Sequence, residues 1–213
     1  MDDGWAHTWR QRDGHIWVNG WKFPNGIKHV ADYVHSKGLK FGIYSDAGTY
    51  TCGGQAGSLG YEELDVADYV EWGVDFLKYD NCYNQGIFSP LRYKAMSKAL
   101  EAADRDIFFA LCNWGVDDVT EWGYEIGAGS WRISADITDN WSSMIYNTQA
   151  LLDETNSHNG PGIGWNDPDM LEVGNGGMTF EEEVTHFTIW CLMKSPLLIG
   201  NDVRKMTIED DAY

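Results

Sequence analysis

The stretch Val74-Asp-Phe-Leu-Lys-Tyr-Asp-Asn-Cys82 decides the fold, because it has the pattern of a buried strand that ends in a carboxylate. It is one of several apolar or β-branched runs that are bounded by glycine or polar residues. Such runs are typical of strands that are buried on both faces. The predicted strands cover residues 39–47, 74–82, 106–114, 130–137, 162–170 and 196–201.

Helical patterns lie between these strands. In residues 24–37 the apolar positions fall on one helical face, and Gly38 is a natural stop. Further helices are predicted over residues 61–72, 90–103, 142–155 and 179–194, with a weaker one over 116–126. Strand–helix units that repeat at a period of roughly thirty residues indicate parallel strands joined by right-handed crossovers.

A (β/α)8 barrel and a doubly wound sheet both satisfy this pattern. Polar side chains favour the barrel, because they stand at or just past the carboxyl ends of successive strands, and in a barrel those ends converge on one mouth. They are Asp46, Asp80, Asn113, Asp136, Asp167 with Asp169, and Asp202. The predicted fold class is therefore α/β, a (β/α)8 barrel. Since fewer than eight strands are visible, we expect an incomplete barrel. Residues 1–5 have the pattern of the end of a further strand, and the chain stops part-way into a helix-like segment.

Composition restricts the partners. The chain has 213 residues and a net charge of -18, with 15 Lys and Arg against 33 Asp and Glu. This charge repels nucleic acid and anionic membranes, so neither is expected as a partner. No apolar run reaches the length of about 18 residues that spans a bilayer, and the first residues do not resemble a signal peptide. We expect residues 1–213 to form one partial catalytic domain.

Asp80 is the first candidate for chemistry. Lys78 lies two positions earlier, on the same face of the strand, and a cation there would hold the Asp80 carboxylate ionised, as a nucleophile requires. The alternative is that Asp80 only caps or turns the following loop.

A second candidate set lies in Ser130-Trp-Arg-Ile-Ser-Ala-Asp-Ile137. Arg132 and Asp136 share a strand face, and Asp136 could serve as general acid and base if burial raises its pKa. A structural Arg–Asp pair is equally compatible with this spacing. Farther along, Asp169 could bind a pair of hydroxyl groups, or Asp167 could simply organise a turn around Pro168.

Other motifs are weaker. The four cysteines show no zinc-finger spacing, and the histidines no metal-binding motif, so a metal site is not expected; a disulfide remains open. Asp2 and Asp3 alternate faces at the beginning of the chain, where a solvated tail is the default reading. Asn140 lies in an N-glycosylation acceptor pattern.

Taken together and in order, several segments resemble glycoside hydrolase family 27, the α-galactosidase (melibiase) and α-N-acetylgalactosaminidase family, and its fungal and plant α-galactosidases in particular. The resemblance covers nearly the whole chain. Its carriers are Asp2-Asp-Gly-Trp5, Phe23-Pro-Asn-Gly-Ile27, His35-Ser-Lys-Gly-Leu-Lys-Phe-Gly-Ile-Tyr-Ser-Asp46, Lys78-Tyr-Asp-Asn-Cys82, Cys112-Asn-Trp-Gly115, residues 132–136, residues 165–171 and Lys194-Ser-Pro-Leu-Leu-Ile-Gly-Asn-Asp202.

This resemblance implies a retaining exo-glycosidase that releases terminal α-linked D-galactose without a metal or cofactor. Asp80 matches the family's nucleophile and Asp136 its general acid/base, and the two carboxyl groups of a retaining enzyme stand about 5 to 5.5 Å apart. Galactose contacts carry over to Asp2, Asp3, Tyr44, Lys78, Trp114, Arg132 and Asp169. Cys52 and Cys82 match the family's disulfide, which implies an oxidising compartment.

Several alternatives stay open at this stage. Trp114 matches a position where bulk favours galactose, but an α-N-acetylgalactosaminidase, a β-L-arabinopyranosidase or a non-catalytic galactose-binding fragment are the competing readings, and a metal-dependent barrel enzyme is a more remote one. The resemblance further implies that the first barrel strand, most of the second and the C-terminal β-domain of the family are absent here and that the last helix is cut short. The hypothesis that follows is that the chain by itself is inactive. The resemblance implies a secreted, vacuolar or lysosomal parent protein, and it leaves the oligomeric state and the natural aglycone undetermined.

Overall fold

The computed structural model describes residues 1–153 and 159–206. They divide into two compact units. The first consists of residues 1–113 and 125–129, and the second of residues 114–124 and the described residues from 130 onward. Both units combine parallel strands with helices, as the repeated strand–helix pattern predicts.

The first unit contains an antiparallel hairpin, three parallel strands and three helices. In chain order these elements are β1 (Ala6–Arg10), β2 (Ile16–Val18), α1 (Gly26–Ser36), β3 (Gly42–Asp46), α2 (Glu62–Trp72), β4 (Phe76–Asp80), α3 (Ser89–Glu101) and β5 (Phe108–Cys112). In the parallel register of β3, β4 and β5, Asp46 is level with Asp80 and Asp80 with Cys112. The side chains of Asp46, Asp80 and Cys112, all capable of hydrogen bonding, therefore lie at the carboxyl edge of this sheet.

Apolar and polar residues alternate from Leu77 to Asp80 of β4, and each kind lies on one face of the strand. Leu77 and Tyr79 are fully buried on one face, where the Tyr79 ring contacts Tyr93 of α3 edge-on, with ring centroids 5.4 Å apart. Lys78 and Asp80 lie on the opposite face because successive side chains of a strand alternate. The apolar face thus anchors the strand, and the polar face is left for chemistry.

The second unit contains two parallel strands and three helices. Its elements are α4 (Val119–Trp122), β6 (Ser130–Arg132), α5 (Trp141–Asp153), β7 (Trp165–Asp167) and α6 (Phe180–Leu192). Helix α6 begins with a capping box, in which Thr179 and Glu182 satisfy each other's backbone amides. The apolar core of this unit contains Ile137, Met144, Leu171, Val173, Met178 and Trp190.

Most predicted elements are present, with shorter bounds. The prediction of a strand over 196–201 is wrong, because this segment makes only a single parallel bridge, between Ile199 and Leu171. Pro196 has no amide hydrogen to donate to a neighbouring strand. The strands predicted over 130–137 and 162–170 are each reduced to three residues. The weak helix over 116–126 consists of short turns around α4. The predicted end of the helix over 142–155 lies outside the described residues.

The β1–β2 hairpin was not predicted. Its strands are short, and several of their aromatic side chains are exposed, so no apolar run marks them. The hairpin is held by Arg10, which forms a two-pronged ion pair with the buried Asp65 of α2 at 2.6 and 2.7 Å. That contact joins residues 55 positions apart, which a local pattern does not reveal.

No helix within the described ranges is both long enough and apolar enough to cross a membrane.

Asp75, just before β4, joins three segments at the sheet edge opposite to Asp80. Its carboxylate accepts from the Phe41 amide at 2.8 Å and contacts His35 and Arg105 at 2.7 Å each. Burial would raise the pKa of Asp75, but these hydrogen bonds, together with the charges of Arg105 and the nearby Lys40, lower it to about 2.

We predict that Asp75→Asn lowers the free energy of unfolding at pH 7 by about 2 kcal/mol. Because the folded-state pKa of Asp75 is depressed, this stabilisation is complete above the unfolded-state value of 3.8 and is lost as the pH falls toward 2. Urea denaturation at pH 7 and at pH 3 measures both effects. Asp32→Asn, in an exposed pair with Lys28, is the control and should cost less than about 0.5 kcal/mol. Equal losses in both variants would contradict the prediction.

Candidate active site

Asp80 ends β4 as a buried carboxylate surrounded by hydrogen-bond donors. Oδ2 accepts from the Tyr44 hydroxyl at 2.7 Å, and Oδ1 accepts from the Asn81 amide at 2.9 Å. The thiol of Cys112, level with Asp80 on β5, is a third donor. These donors provide what a buried carboxylate requires in order to stay ionised.

The pKa of Asp80 reflects a competition between burial and these donors. Burial raises it, whereas the hydrogen bonds from Tyr44, Asn81 and Cys112 and the charge of Lys78 lower it, and the net pKa lies above the usual value for aspartate. Burial and the neighbouring Asp80 carboxylate also raise the pKa of the Tyr44 hydroxyl, so Tyr44 remains a donor.

Lys78 and the first acidic residues complete this part of the site. Lys78 Nζ donates to Asp2 Oδ2 at 3.1 Å and lies 5.5 Å from the centre of the Tyr44 ring. Asp3 Oδ2 accepts from the Gly53 amide at 2.8 Å. Asp2 and Asp3 are therefore tied to the site and do not form a free tail. The structure brings together the predicted residues of this unit, and Lys78 pairs with Asp2 rather than directly with Asp80.

The predicted disulfide between Cys52 and Cys82 is confirmed, and it packs against the carboxylate. Cys52 Sγ lies 3.4 Å from Asp80 Oδ2. Within the described part of the chain, Asp46, Cys52 and Cys82 place metal-ligand atoms within 4.8 Å of one another. Because the two sulfurs are bonded to each other, they offer no thiolate to a metal ion.

Asp46 is a second buried carboxyl group at this edge, to which the sequence analysis gave a position but no role. Oδ1 accepts from the Gly48 amide at 2.7 Å and Oδ2 from the Cys82 amide at 3.0 Å, so Asp46 joins the loops after β3 and β4. Burial and the neighbouring Asp80 raise its pKa to about 8, against the effect of these amides and of Arg92. A carboxyl group with such a pKa is neutral at pH 7.

Sequence reasoning also missed the supporting roles of Cys112 and Arg92. Arg92 is buried in α3, where its guanidinium donates to the Asn81 side chain at 2.5 Å and to the Ala47 carbonyl at 3.3 Å. Arg92 thus joins the residues that directly follow Asp46 and Asp80. The parallel register could have indicated Cys112, but no local signal identifies Arg92.

In the second unit Arg132 is the central cation. Its Nη2 atom lies 2.9 Å from Asp169 Oδ2 and 3.1 Å from Asp136 Oδ1. Asp169 also accepts from the Ile137 and Met170 amides at 2.8 Å, and its backbone φ of 92° is unusual for a residue with a side chain. A strained, fully hydrogen-bonded residue of this kind is frequent at functional sites.

Asp136 differs from its prediction. Strand β6 ends at Arg132, so Asp136 lies in the following loop and its side chain is 78 % exposed. The expected burial is therefore absent, because the loop turns this carboxylate toward solvent. The pairing with Arg132 is present, but through a loop and not along a strand.

Trp114 follows β5 in a left-handed backbone conformation, with φ of 60°. The next residue, Gly115, donates its amide to the Arg132 carbonyl at 2.9 Å. A Cβ on Gly115 would lie 2.5 Å from the Ile133 carbonyl oxygen, so only glycine fits there. This contact holds Trp114 next to the Arg132 segment.

A pocket lies elsewhere in the first unit. It has a volume of about 680 Å³ and is lined by the beginnings of β4 and β5, including Phe76 and Phe108. It therefore lies at the sheet edge opposite to Asp80. Parallel α/β proteins build their sites at the carboxyl edge, so we assign the chemistry to the Asp80 edge.

Comparisons with known proteins agree with this assignment. The family model described as "Alpha galactosidase A" matches residues 1–212. Alpha-galactosidase 3 of Arabidopsis thaliana is 55% identical over 98% of this chain and 47% of its own length, and the alpha-galactosidase of Cyamopsis tetragonoloba is 55% identical over 97% and 50%. The chain thus spans about half the length of the curated relatives it matches.

A solved structure supports the fold class. The alpha-galactosidase from Saccharomyces cerevisiae, whose structure is also known with raffinose, is 40% identical, with a TM-score of 0.90 over 98% of this chain and 51% of that chain. The predicted fold class, a (β/α)8 barrel represented in part, is confirmed: the described residues contain three parallel strands in the first unit and two in the second.

We predict that Asp46 makes the chain less stable as the pH rises. Folded Asp46 holds its proton up to a pKa of about 8, while the unfolded chain releases it near 3.8, so the free energy of unfolding falls with pH between these values. Asp46→Asn removes this contribution, and the decline between pH 5 and pH 8, measured by urea denaturation, becomes shallower by up to about 1 kcal/mol per pH unit. Asp32→Asn should keep the original slope. Parallel slopes for the parent chain and Asp46→Asn would refute the prediction.

Proposed function

Because the chain belongs to the Alpha galactosidase A family, we propose that it carries the catalytic residues of a hydrolase that releases terminal α-linked D-galactose. The observation that carries the proposal is the buried Asp80 carboxylate, held by three donors beside Lys78 and Asp2. A nucleophile needs this combination of ionisation and fixed orientation.

The proposed reaction is a double displacement. Asp80 attacks the anomeric carbon of the galactosyl unit while Asp136 donates a proton to the leaving oxygen, which gives a covalent galactosyl-enzyme and the free aglycone. Asp136 then takes a proton from water, and the hydroxide attacks the same carbon and releases Asp80. Galactose leaves with its original anomeric configuration.

The exposure of Asp136 fits one part of this role. A general acid/base must exchange protons with water in each cycle, and a carboxyl group at the surface can do so. Arg132 holds Asp136 through one oxygen and leaves the other for the substrate.

The remaining predicted residues would bind the sugar. Carboxylates such as Asp2, Asp3 and Asp169 accept strong, directional hydrogen bonds from hydroxyl groups, which allows a site to reject an epimer. Trp114 supplies bulk where a 2-acetamido group would need space, which favours galactose over N-acetylgalactosamine. The substrate class is a galactosyl oligosaccharide or polysaccharide, and raffinose in the yeast relative is a matching example. The Cys52–Cys82 disulfide favours an oxidising location, such as a secreted or vacuolar one.

Asp80→Asn should abolish hydrolysis of 4-nitrophenyl α-D-galactopyranoside, with a loss of kcat of at least roughly a thousandfold, because the amide is a poor nucleophile. Asp32→Asn is the matched carboxylate control and should retain the parent rate. Release of nitrophenolate measures both.

Three outcomes would change the assignment. Unaltered turnover by Asp80→Asn would exclude Asp80 as nucleophile. Galactose binding in calorimetry without turnover by the parent chain would favour a sugar-binding role. Faster hydrolysis of the aryl α-N-acetylgalactosaminide than of the aryl α-galactoside would identify the chain as an α-N-acetylgalactosaminidase.

Tyr44→Phe should shift the acid limb of the pH profile of kcat/KM to higher pH. Removing the hydroxyl deletes a hydrogen bond to ionised Asp80, so the pKa of Asp80 rises and a higher pH is needed to ionise it. Tyr33→Phe, on the exposed side of α1, should leave the profile unchanged. An unshifted acid limb in Tyr44→Phe would show that this hydrogen bond does not set the ionisation of Asp80.

A further inference from the structure

We propose that a groove beside the β1–β2 hairpin binds the neutral sugar chain to which the galactosyl unit is attached; this inference rests on the proposed function. The groove has a volume of about 380 Å³. Its lining includes Thr8, Trp9, Arg10, Thr49, Tyr50 and Tyr61. Its size is in the range of small-ligand sites and too small for a protein partner.

The lining has the chemistry of a sugar site. Three exposed aromatic rings, those of Trp9, Tyr50 and Tyr61, form its walls. The C–H face of a pyranose packs on such rings, while its hydroxyl groups need polar partners at the edge. Thr8 and Thr49 are the hydroxyl-bearing residues of the lining besides the two tyrosines, and the Thr49 hydroxyl accepts from the Gln85 side chain at 3.0 Å.

The charge of the groove favours a neutral ligand. Arg10 is the charged residue of the lining, and its guanidinium is already engaged by both carboxylate oxygens of Asp65 and by the Gly57 carbonyl. It also lies 4.1 Å from the centre of the Tyr61 ring. Since this cation is neutralised and the chain carries a net charge of -18, an anionic ligand gains nothing there.

One loop contributes residues both to the groove and to the surroundings of Asp80. Tyr50 is two residues from Cys52, a span of about 7 Å at most, and Cys52 contacts Asp80. The Tyr50 ring also contacts the Tyr83 ring, three residues after Asp80, at 5.6 Å between centroids. The same loop binds the hairpin, because the Ala56 amide donates to the His7 carbonyl at 3.1 Å. A sugar chain leaving the galactose site along this loop reaches the groove.

The test compares Trp9→Ala with Trp21→Ala, a matched control. The Trp9 side chain is 68% exposed and Trp21 is 95% exposed, so both variants should fold, and Trp21 does not line the groove. The first readout is retardation of the full chain in native gels that contain galactomannan, a neutral polymer with α-galactosyl branches. It is measured in the Asp80→Asn background, so that the branches stay intact. The second is the ratio of kcat/KM on galactomannan to that on the aryl α-galactoside.

Trp9→Ala is expected to weaken galactomannan binding and to lower the kinetic ratio by roughly three- to tenfold, the usual worth of one aromatic contact. Trp9→Phe, which keeps a ring, should retain most of the galactomannan binding and most of the kinetic ratio. Tyr50→Ala, which removes another ring of the lining, should lower both as Trp9→Ala does. Trp21→Ala should match the parent chain in both readouts.

The proposal is overturned if galactomannan does not retard the parent chain, if Trp9→Ala binds as well as the parent, or if Trp21→Ala loses as much. Failure of the proposed function, galactoside hydrolysis, would give a different set of results from failure of the groove proposal. In that case no variant hydrolyses a galactoside, yet retardation that depends on Trp9 and not on Trp21 still supports the groove as a sugar-binding site.

Discussion

The parallel register of β3 and β4 places two buried carboxyl groups, Asp46 and Asp80, level at one edge of the sheet, and the rest of the first unit compensates for that placement. Two ionised carboxylates so close together and shielded from water would repel each other strongly. The structure resolves the conflict by giving them different surroundings. Asp80 receives the Tyr44 hydroxyl and a nearby ammonium group, which favour its charge. Asp46 receives only backbone amides at its oxygens and keeps its proton at neutral pH.

The same compensation explains the loops around the site. The Cys52–Cys82 disulfide and the buried Arg92 both fasten the loop after β3 to the loop after β4. Neither loop can move without breaking a covalent bond or leaving a buried guanidinium without partners, which is costly. The Asp80 carboxylate is thus held by its surroundings and not by its own strand alone, as its proposed role of nucleophile requires. The groove beside the β1–β2 hairpin is lined in part by Thr49 and Tyr50 of one of these loops, so the proposed aglycone site has the same rigid support.

The sequence predicted much of this site, for a clear reason. Parallel strands buried on both faces have distinctive apolar runs, and the residues that interrupt these runs at the carboxyl ends, such as Asp80, mark the functional edge. Residues tied to a family pattern, such as the cysteines of the disulfide, could be paired by resemblance. The catalytic and sugar-binding roles of the predicted residues remain proposals, and hydrolysis assays decide them.

Sequence by itself determined the order of the parallel strands β3 to β7 and of the helices between them, the edge that carries the acidic residues and the family. Only the tertiary structure decided which side chains meet and how they ionise. The neutral state of Asp46 and the hairpin held by Arg10 depend on contacts between residues distant in sequence. The surface position of Asp136 and the single bridge made by residues 196–201 depend on the course of loops in the folded chain. Local patterns record propensity and burial, whereas a pKa or a strand pairing is set by the neighbours that folding brings into contact.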